Sequence, residues 1–269
     1  MKKLFKTAYV SFHRFLQRQR WKKESATERN KIRRKDTRFL FKEGVKMILA
    51  PHVDDEWIGC SQVLSKENGV HLVYADMPGG DSLDVHKLRY EELNYVSNSN
   101  HCQLSVLKDD KVEGLRKLIV DIRPAYIFIP FFIDWHDEHI EVMKILKQAL
   151  QKLKGGEKLK IVGYQVSMPI RSDYVTHTLP LTKEQWHEKW KQFAYYYPSQ
   201  RHIPASRFAL QEYVNGAICD TYAAEVFVEM DSEKWIVQYE KLILPPFKRD
   251  FAKGKLSSIT NLRLFINGM

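Results

Sequence analysis

From Lys46 onward, short apolar runs alternate with longer stretches in which apolar residues recur every third or fourth position. The runs at residues 46–50, 70–75, 105–107, 125–131 and 160–166 read as strands, with 223–229 as a later one. Between them, helical spacing predicts helices over 57–67, 85–98, 112–122 and 140–153. Residues 182–195 read as a further helix, with Thr182 as its cap and Trp186, Trp190 and Phe193 on one face. Residues 232–244 make another, stopped by Pro245 and Pro246. Strands that alternate with helices predict an α/β fold: a Rossmann-like, mostly parallel sheet with helices on both faces. In such sheets ligands sit at the carboxyl ends of the strands, so chemistry is sought there.

The two ends differ from this middle. Residues 1–44 form a basic N-terminal extension, 45–230 the main domain, and 231–269 a C-terminal helical extension whose last stretch, from Phe247, has little pattern. In the N-terminal segment Phe5, Tyr9, Phe12 and Leu16 recur at helical spacing among lysines and arginines. Such a helix can lie on an anionic membrane, which makes residues 1–23 a candidate for peripheral membrane contact, or pack its apolar stripe on the body.

Location matters more than total for the charge. The chain carries +10, but thirteen Lys/Arg and only two Glu lie between Lys2 and Lys35, so the remainder is close to neutral. The main domain is therefore not expected to bind nucleic acid. No run approaches the ~18 apolar residues of a membrane span. Arg14, Arg18 and Arg20 interrupt any secretory leader. Three scattered cysteines, Cys60, Cys102 and Cys219, fit a reducing compartment, and a cytoplasmic location is expected.

Two clusters carry candidate chemistry. Pro51-His52-Val53-Asp54-Asp55-Glu56 follows the first strand, and Asp134-Trp135-His136-Asp137-Glu138-His139 follows the most apolar one. Acids at a helix start also arise from the helix dipole alone, but that does not account for the histidines. Histidine and aspartate three apart across a turn, and two histidines three apart as a helix opens, can converge on one point. Together they offer His, Asp and His, the three-ligand set of a catalytic zinc site with an open position, and leave acids for proton transfer.

These residues resemble the PIG-L/LmbE-type N-acetylglucosaminyl de-N-acetylases, whose motifs are (A/P)-H-P-D-D-E and H-x-D-H. Fainter echoes follow in order: Arg89 with Glu92; Lys191, Ala194 and Ser199-Gln200; and Tyr222 to Phe227. The likeness runs from about Lys46 to Val228. Val53 replaces a proline, Glu138 an aspartate, and Tyr197 a histidine found in many members. The resemblance implies Zn2+ bound by His52, Asp55 and His139, with Asp54 as general base. It implies that His136 stabilises the oxyanion or protonates the leaving amine, with Glu138 holding its ring. The implied substrate is an N-acetyl amino sugar, free or within a glycoconjugate or glycan precursor. Two other readings are a metal-dependent hydrolase of another amide or ester, and a non-catalytic glycan-binding protein. Gly79-Gly80-Asp81 could shape the pocket rim, and Trp57 and Trp135 could stack on a sugar or pack in the core.

Overall fold

The computed structural model describes residues 2–77, 82–153 and 159–269, with side chains from residue 12 onward. Gly79-Gly80-Asp81 lies outside the described residues. In chain order the elements are α1 (Lys2–Arg29), β1 (Lys46–Ala50), α2 (Asp55–Lys66), β2 (Val70–Tyr74), α3 (Leu83–Ser99) and β3 (Gln103–Val106). Then come α4 (Lys111–Ile122), β4 (Tyr126–Pro130), α5 (Asp137–Gln151), β5 (Lys160–Tyr164), β6 (His177–Leu181) and α6 (Lys183–Tyr196). The chain ends with α7 (Ala205–Asn215), β7 (Ala223–Asp231), α8 (Ser232–Leu242), α9 (Pro246–Lys253) and α10 (Ile259–Asn267).

The strands form one seven-stranded sheet in the order β3-β2-β1-β4-β5-β7-β6. The first five run parallel, while β7 is antiparallel to both β5 and β6. This is the Rossmann-like, mostly parallel sheet that the alternating pattern predicts. Strand geometry explains the two-sided core. In β1, Met47 and Leu49 pack on one face, and Ile48 and Ala50 on the other, because side chains alternate along a strand. Burial on both faces is why these strands read as continuous apolar runs.

The strand order reverses between β1 and β4, where successive crossovers leave in opposite directions and open a crevice at the carboxyl ends. Both acid-histidine clusters follow these two strands. A close approach fixes α2 above the crevice. A Cβ on Gly59 would stand 2.2 Å from Tyr164 Cδ2, and the Tyr164 hydroxyl donates to the Leu49 carbonyl at 3.0 Å.

One strand and three helices depart from the pattern. Strand β6 contains Pro180, which lacks an N–H and is tolerated only at a sheet edge, where β6 lies. Its free side is partly covered: Arg38 N–H donates to Thr176 O at 3.0 Å, and Thr178 N–H to Arg38 O at 2.9 Å. Helix α7 follows a 3₁₀ turn at Pro198–Gln200, and α9 opens with Pro246 in its first turn. The proline pair that ends one helix also starts the next, since the fixed φ of proline suits the first helical position. The third helix is α10.

The two ends of the chain meet. Helix α1 lies against α7 and α10. Trp21 Nε1–H donates to Ser257 O at 2.9 Å, and Glu24 accepts from Ile259 N–H at 2.7 Å and from Ser258 Oγ at 3.0 Å. Trp21, Ser25 and Glu28 are buried there, whereas Phe12, Phe15 and Leu16, nearer the start, are exposed. The side chains of Phe5 and Tyr9 lie outside the described residues. No helix among the described residues is long and apolar enough to cross a membrane.

Candidate metal centre

The turn after β1 is held in an unusual conformation. Asp54 has φ 115°, a left-handed value that a non-glycine side chain adopts only under constraint. Its carbonyl accepts from the amides of Trp57 and Ile58 at 3.0 and 2.9 Å, and its own N–H donates to Glu56 Oε2 at 3.0 Å. Val53, which stands where the resembled motif has proline, is buried in the core, and Gln200 Nε2 donates to its carbonyl at 3.1 Å. The second turn is fixed by Asp134, whose Oδ1 accepts from the His136 amide at 2.9 Å. His136 then caps α5, and Glu138 and His139 fall in its first turn.

These turns bring His52, Asp55 and His139 to a common point. Asp55 Oδ2 lies 3.2 Å from His52 Nδ1 and 3.2 Å from His139 Nε2, and the two ring nitrogens are 3.3 Å apart. Ligands arranged tetrahedrally at zinc–ligand lengths of 2.0–2.1 Å stand about 3.3–3.4 Å from one another. The triangle therefore fits one face of such a site, with the donor chemistry zinc takes. The far ring nitrogens point to carboxylates: His139 Nδ1 to Asp134 Oδ2 at 2.8 Å, and His52 Nε2 to Glu138 Oε2 at 2.5 Å. A proton on each of those nitrogens leaves the inward lone pair available, which is how carboxylates orient ligating histidines.

Glu138 differs from expectation here. The resemblance assigns it to the ring of His136, yet its Oε2 lies 3.9 Å from His136 Nδ1 and 2.5 Å from His52 Nε2. The extra methylene of glutamate over aspartate lets the carboxylate span from α5 to the β1 turn. His136 instead stacks on His139, with ring centroids 4.8 Å apart, and meets His52 edge-on at 4.6 Å. One nitrogen from each of His52, His136 and His139 falls within a 4.8 Å group, so a three-histidine ligand set is the geometric rival. The Asp55-containing triangle is tighter and has the better match to ligand spacing.

Electrostatics sort the roles. Burial, with Asp55 and Glu56 alongside, holds the Asp54 carboxyl well above the usual range, partly offset by His52 and Arg89. Burial pushes Asp55 the same way, but His139 and His52 overcome it and keep Asp55 ionised. Burial would lower His52, yet its hydrogen bonds to Asp55 and Glu138 raise it to about 9. His139 is likewise raised, by Asp134 and Asp55 against its burial. His136 is pulled down to about 4 by burial and by its two histidine neighbours, so it is neutral at pH 7.

The fainter sequence echoes have distinct fates. Glu92 accepts from the Ser199 amide at 2.8 Å and its hydroxyl at 2.6 Å, tying α3 to the segment that carries Gln200. Arg89 lines the cavity beside the centre. Tyr197 is buried, and its hydroxyl donates to Glu56 beneath the first turn. Lys191 is not at the site: it is exposed on α6 and faces Glu188 at 3.4 Å. The buried lysine of that helix is Lys189, which pairs with Glu212 and Glu225, while Ser61 Oγ donates to Glu225 at 2.7 Å. Trp57 is core, its Nε1–H given to Lys189 O at 3.1 Å, whereas Trp135 lines the cavity.

That cavity measures about 730 Å³, room for a sugar with a substituent. His52, Asp54, Asp55, His136, Glu138 and His139 line one part of it. Sequence reasoning missed much of the remaining wall: Gln17 and Trp21 of α1, His202 before α7 and Arg207 within it, and Lys253 at the end of α9 with Gly254, Leu256 and Ser257 after it. It also gave Asp134 no role. The signal for Asp134 was its place in the second cluster at a strand end, whereas nothing local marks Arg207.

The sheet and its order define a Rossmann-like α/β fold, with both clusters at its switch point. Among solved structures, the chain is similar to the conserved protein TT1542 from Thermus thermophilus, with TM-score 0.54 and 18% identity over 69% of this chain and 94% of that one. It is also similar to a triple mutant of the teicoplanin-pathway deacetylase Orf2 (TM-score 0.51, 14% identity, 70% of this chain and 99% of that one). The A40926 pseudoaglycone deacetylase Dbv21 has TM-score 0.50 and 13% identity, over 69% of this chain and 97% of that one. No protein-family model and no curated protein matches the chain.

Proposed function

We propose that the chain is a zinc-dependent hydrolase that removes the N-acetyl group from an N-acetyl amino sugar in a sugar, glycoconjugate or glycan precursor. The observation that carries this reading is the donor triangle of His52, Asp55 and His139, 3.2–3.3 Å on each side, with the buried Asp54 beside it. The fold is shared with the teicoplanin-pathway deacetylase and the A40926 pseudoaglycone deacetylase, which supports the same reaction class.

Zinc held by these three residues would supply Lewis acidity, activating water and polarising the acyl carbonyl. Asp54, buried beside the triangle, takes the proton from the attacking water. Neutral His136 donates an N–H to the developing oxyanion, since a ring lowered to about 4 is a hydrogen-bond donor rather than a stored acid. Asp54 then returns its proton to the amine nitrogen, because an amide anion is too poor a leaving group to depart unprotonated. Asp134 and Glu138 hold the two ligating rings throughout.

Acetate release from N-acetylglucosamine and its glycosides, against acetyl esters and N-acetyl amino acids, tests this. Full activity requires about one equivalent of zinc, and His139→Ala abolishes both metal and turnover. Acetate released only from esters, or full zinc retained by His139→Ala, contradicts the assignment.

A further inference from the structure

Three cationic side chains on the cavity wall, Arg89, Arg207 and Lys253, are unused by the reaction just described. Arg207, in the first turn of α7, is only 4% exposed and still lines the cavity. Its Nη1 donates to the Leu256 carbonyl at 3.1 Å, and its guanidinium carbon lies 4.9 Å from the Phe208 ring centroid. No carboxylate among the described residues forms an ion pair with it. A guanidinium has five N–H donors, so most of them remain for whatever occupies the cavity. Buried charges are ordinarily paired; the carboxylate that acts on this one, Asp134, already has its oxygens on the His139 ring and the His136 amide. It stays ionised at neutral pH, because burial lowers it only to about 10.

The distribution of charge on the wall gives the missing partner a sign. The carboxylates lining the cavity, Asp54, Asp55 and Glu138, all belong to the metal centre. Arg207 and Lys253 come from α7 and α9, and Lys253 Nζ lies 5.5 Å over the Trp135 ring that borders His136. A planar fork with free donors matches the paired oxygens of a phosphate or carboxylate.

We propose that Arg207, with Lys253 alongside, forms an oxyanion-binding subsite, so that the substrate is an N-acetyl amino sugar carrying a phosphate or carboxylate group. The subsite rests on the deacetylase reading for the identity of the sugar, though not for its binding of an anion. Arg207 is then the residue that sets specificity, acting apart from the reacting amide.

The test is calorimetric binding of N-acetylglucosamine, its 1-phosphate and N-acetylmuramic acid to the full chain, with acetate release measured separately. A lipid-linked N-acetylglucosaminyl phosphate in detergent micelles forms a further arm, which distinguishes a lipid from a soluble phosphate source. The expected result is one anionic sugar binding on the order of 10- to 100-fold more tightly than the neutral one, as for a charge-assisted contact. In Arg207→Met that ratio falls toward one, and Arg207→Lys, which keeps the charge but loses the fork, retains part of it. Should Arg207→Met not fold, the wild type and Arg207→Lys decide. Equal binding of neutral and anionic sugars, or a ratio untouched by either variant, overturns the proposal. Anion-selective binding without acetate release would sink the deacetylase reading and leave the subsite. Acetate release without anion preference would do the reverse.

Discussion

Asp134 offers a sharp test because it supports the centre from behind, through the His139 ring and the His136 amide. Its Oδ2 lies 2.8 Å from His139 Nδ1, and its Oδ1 receives the His136 amide at 2.9 Å. Replacement by alanine removes the partner of a buried ring nitrogen and frees His139 to rotate and change tautomer. Loss of such a supporting carboxylate typically weakens metal binding 10- to 100-fold, or about 1.4–2.7 kcal/mol. Asp134→Asn should be at least as damaging. If its amide keeps the oxygen on the His136 N–H, its NH2 faces Nδ1 and forces the ring proton onto Nε2, the nitrogen that faces Asp55 and His52. The assay is zinc titration against a chromophoric chelator at fixed pH, with the melting temperature followed in parallel. Alanine should weaken zinc by the stated range and asparagine by no less. Unchanged affinity in both variants would refute the tautomer argument and the place of His139 in the triangle.

Other consequences are equally direct. Asp54→Asn keeps a residue type that tolerates positive φ, so it should fold and hold zinc while turnover falls about 10²–10⁴-fold; equal turnover would remove Asp54 from the reaction. Gly59→Ala forces a Cβ to within 2.2 Å of Tyr164, and should lower stability by about 1–3 kcal/mol, read as a denaturant midpoint shift at constant slope. Burial and Glu225, against the pull of Lys189, raise Glu212 from 4.5 to about 7, so the folded state binds a proton that the unfolded state releases above 4.5. Stability should therefore fall as pH rises from about 4.5 to 7, by roughly 3 kcal/mol from this group. Thermal melts across that window should show a flatter slope in Glu212→Gln, and an unaltered slope would rule Glu212 out as its source.

The parallel half of the sheet was legible because its strands are buried on both faces and separated by amphipathic helices. Both clusters could be placed at strand ends for the same reason, and Thr182 announces α6 through a capping box with Gln185 that the structure contains. What escaped depends on tertiary context. Pro180 disguises β6, which is acceptable only because it is an edge strand. Helices α7, α9 and α10 are short and lack a repeating local pattern: α7 packs on α1 and β7, α10 on α1, and Phe251 of α9 meets Phe265 of α10. The partner of Glu138 could not be read either, since His52 and His136 are both histidines of the same two clusters and only the distance, 2.5 against 3.9 Å, separates them. Arg207 has no sequence signature at all; burial facing a cavity marks it.

The proposed enzyme holds one metal ion on the triangle of His52, Asp55 and His139. A crystal structure of the zinc-loaded protein, with anomalous data collected on both sides of the zinc edge, addresses it most directly. The expected result is a single strong peak about 2.0–2.2 Å from His52 Nδ1, Asp55 Oδ2 and His139 Nε2, with His136 and Asp54 beside the ion but not bound to it. A peak ligated by His136 in place of Asp55, or none between the two turns, would contradict it.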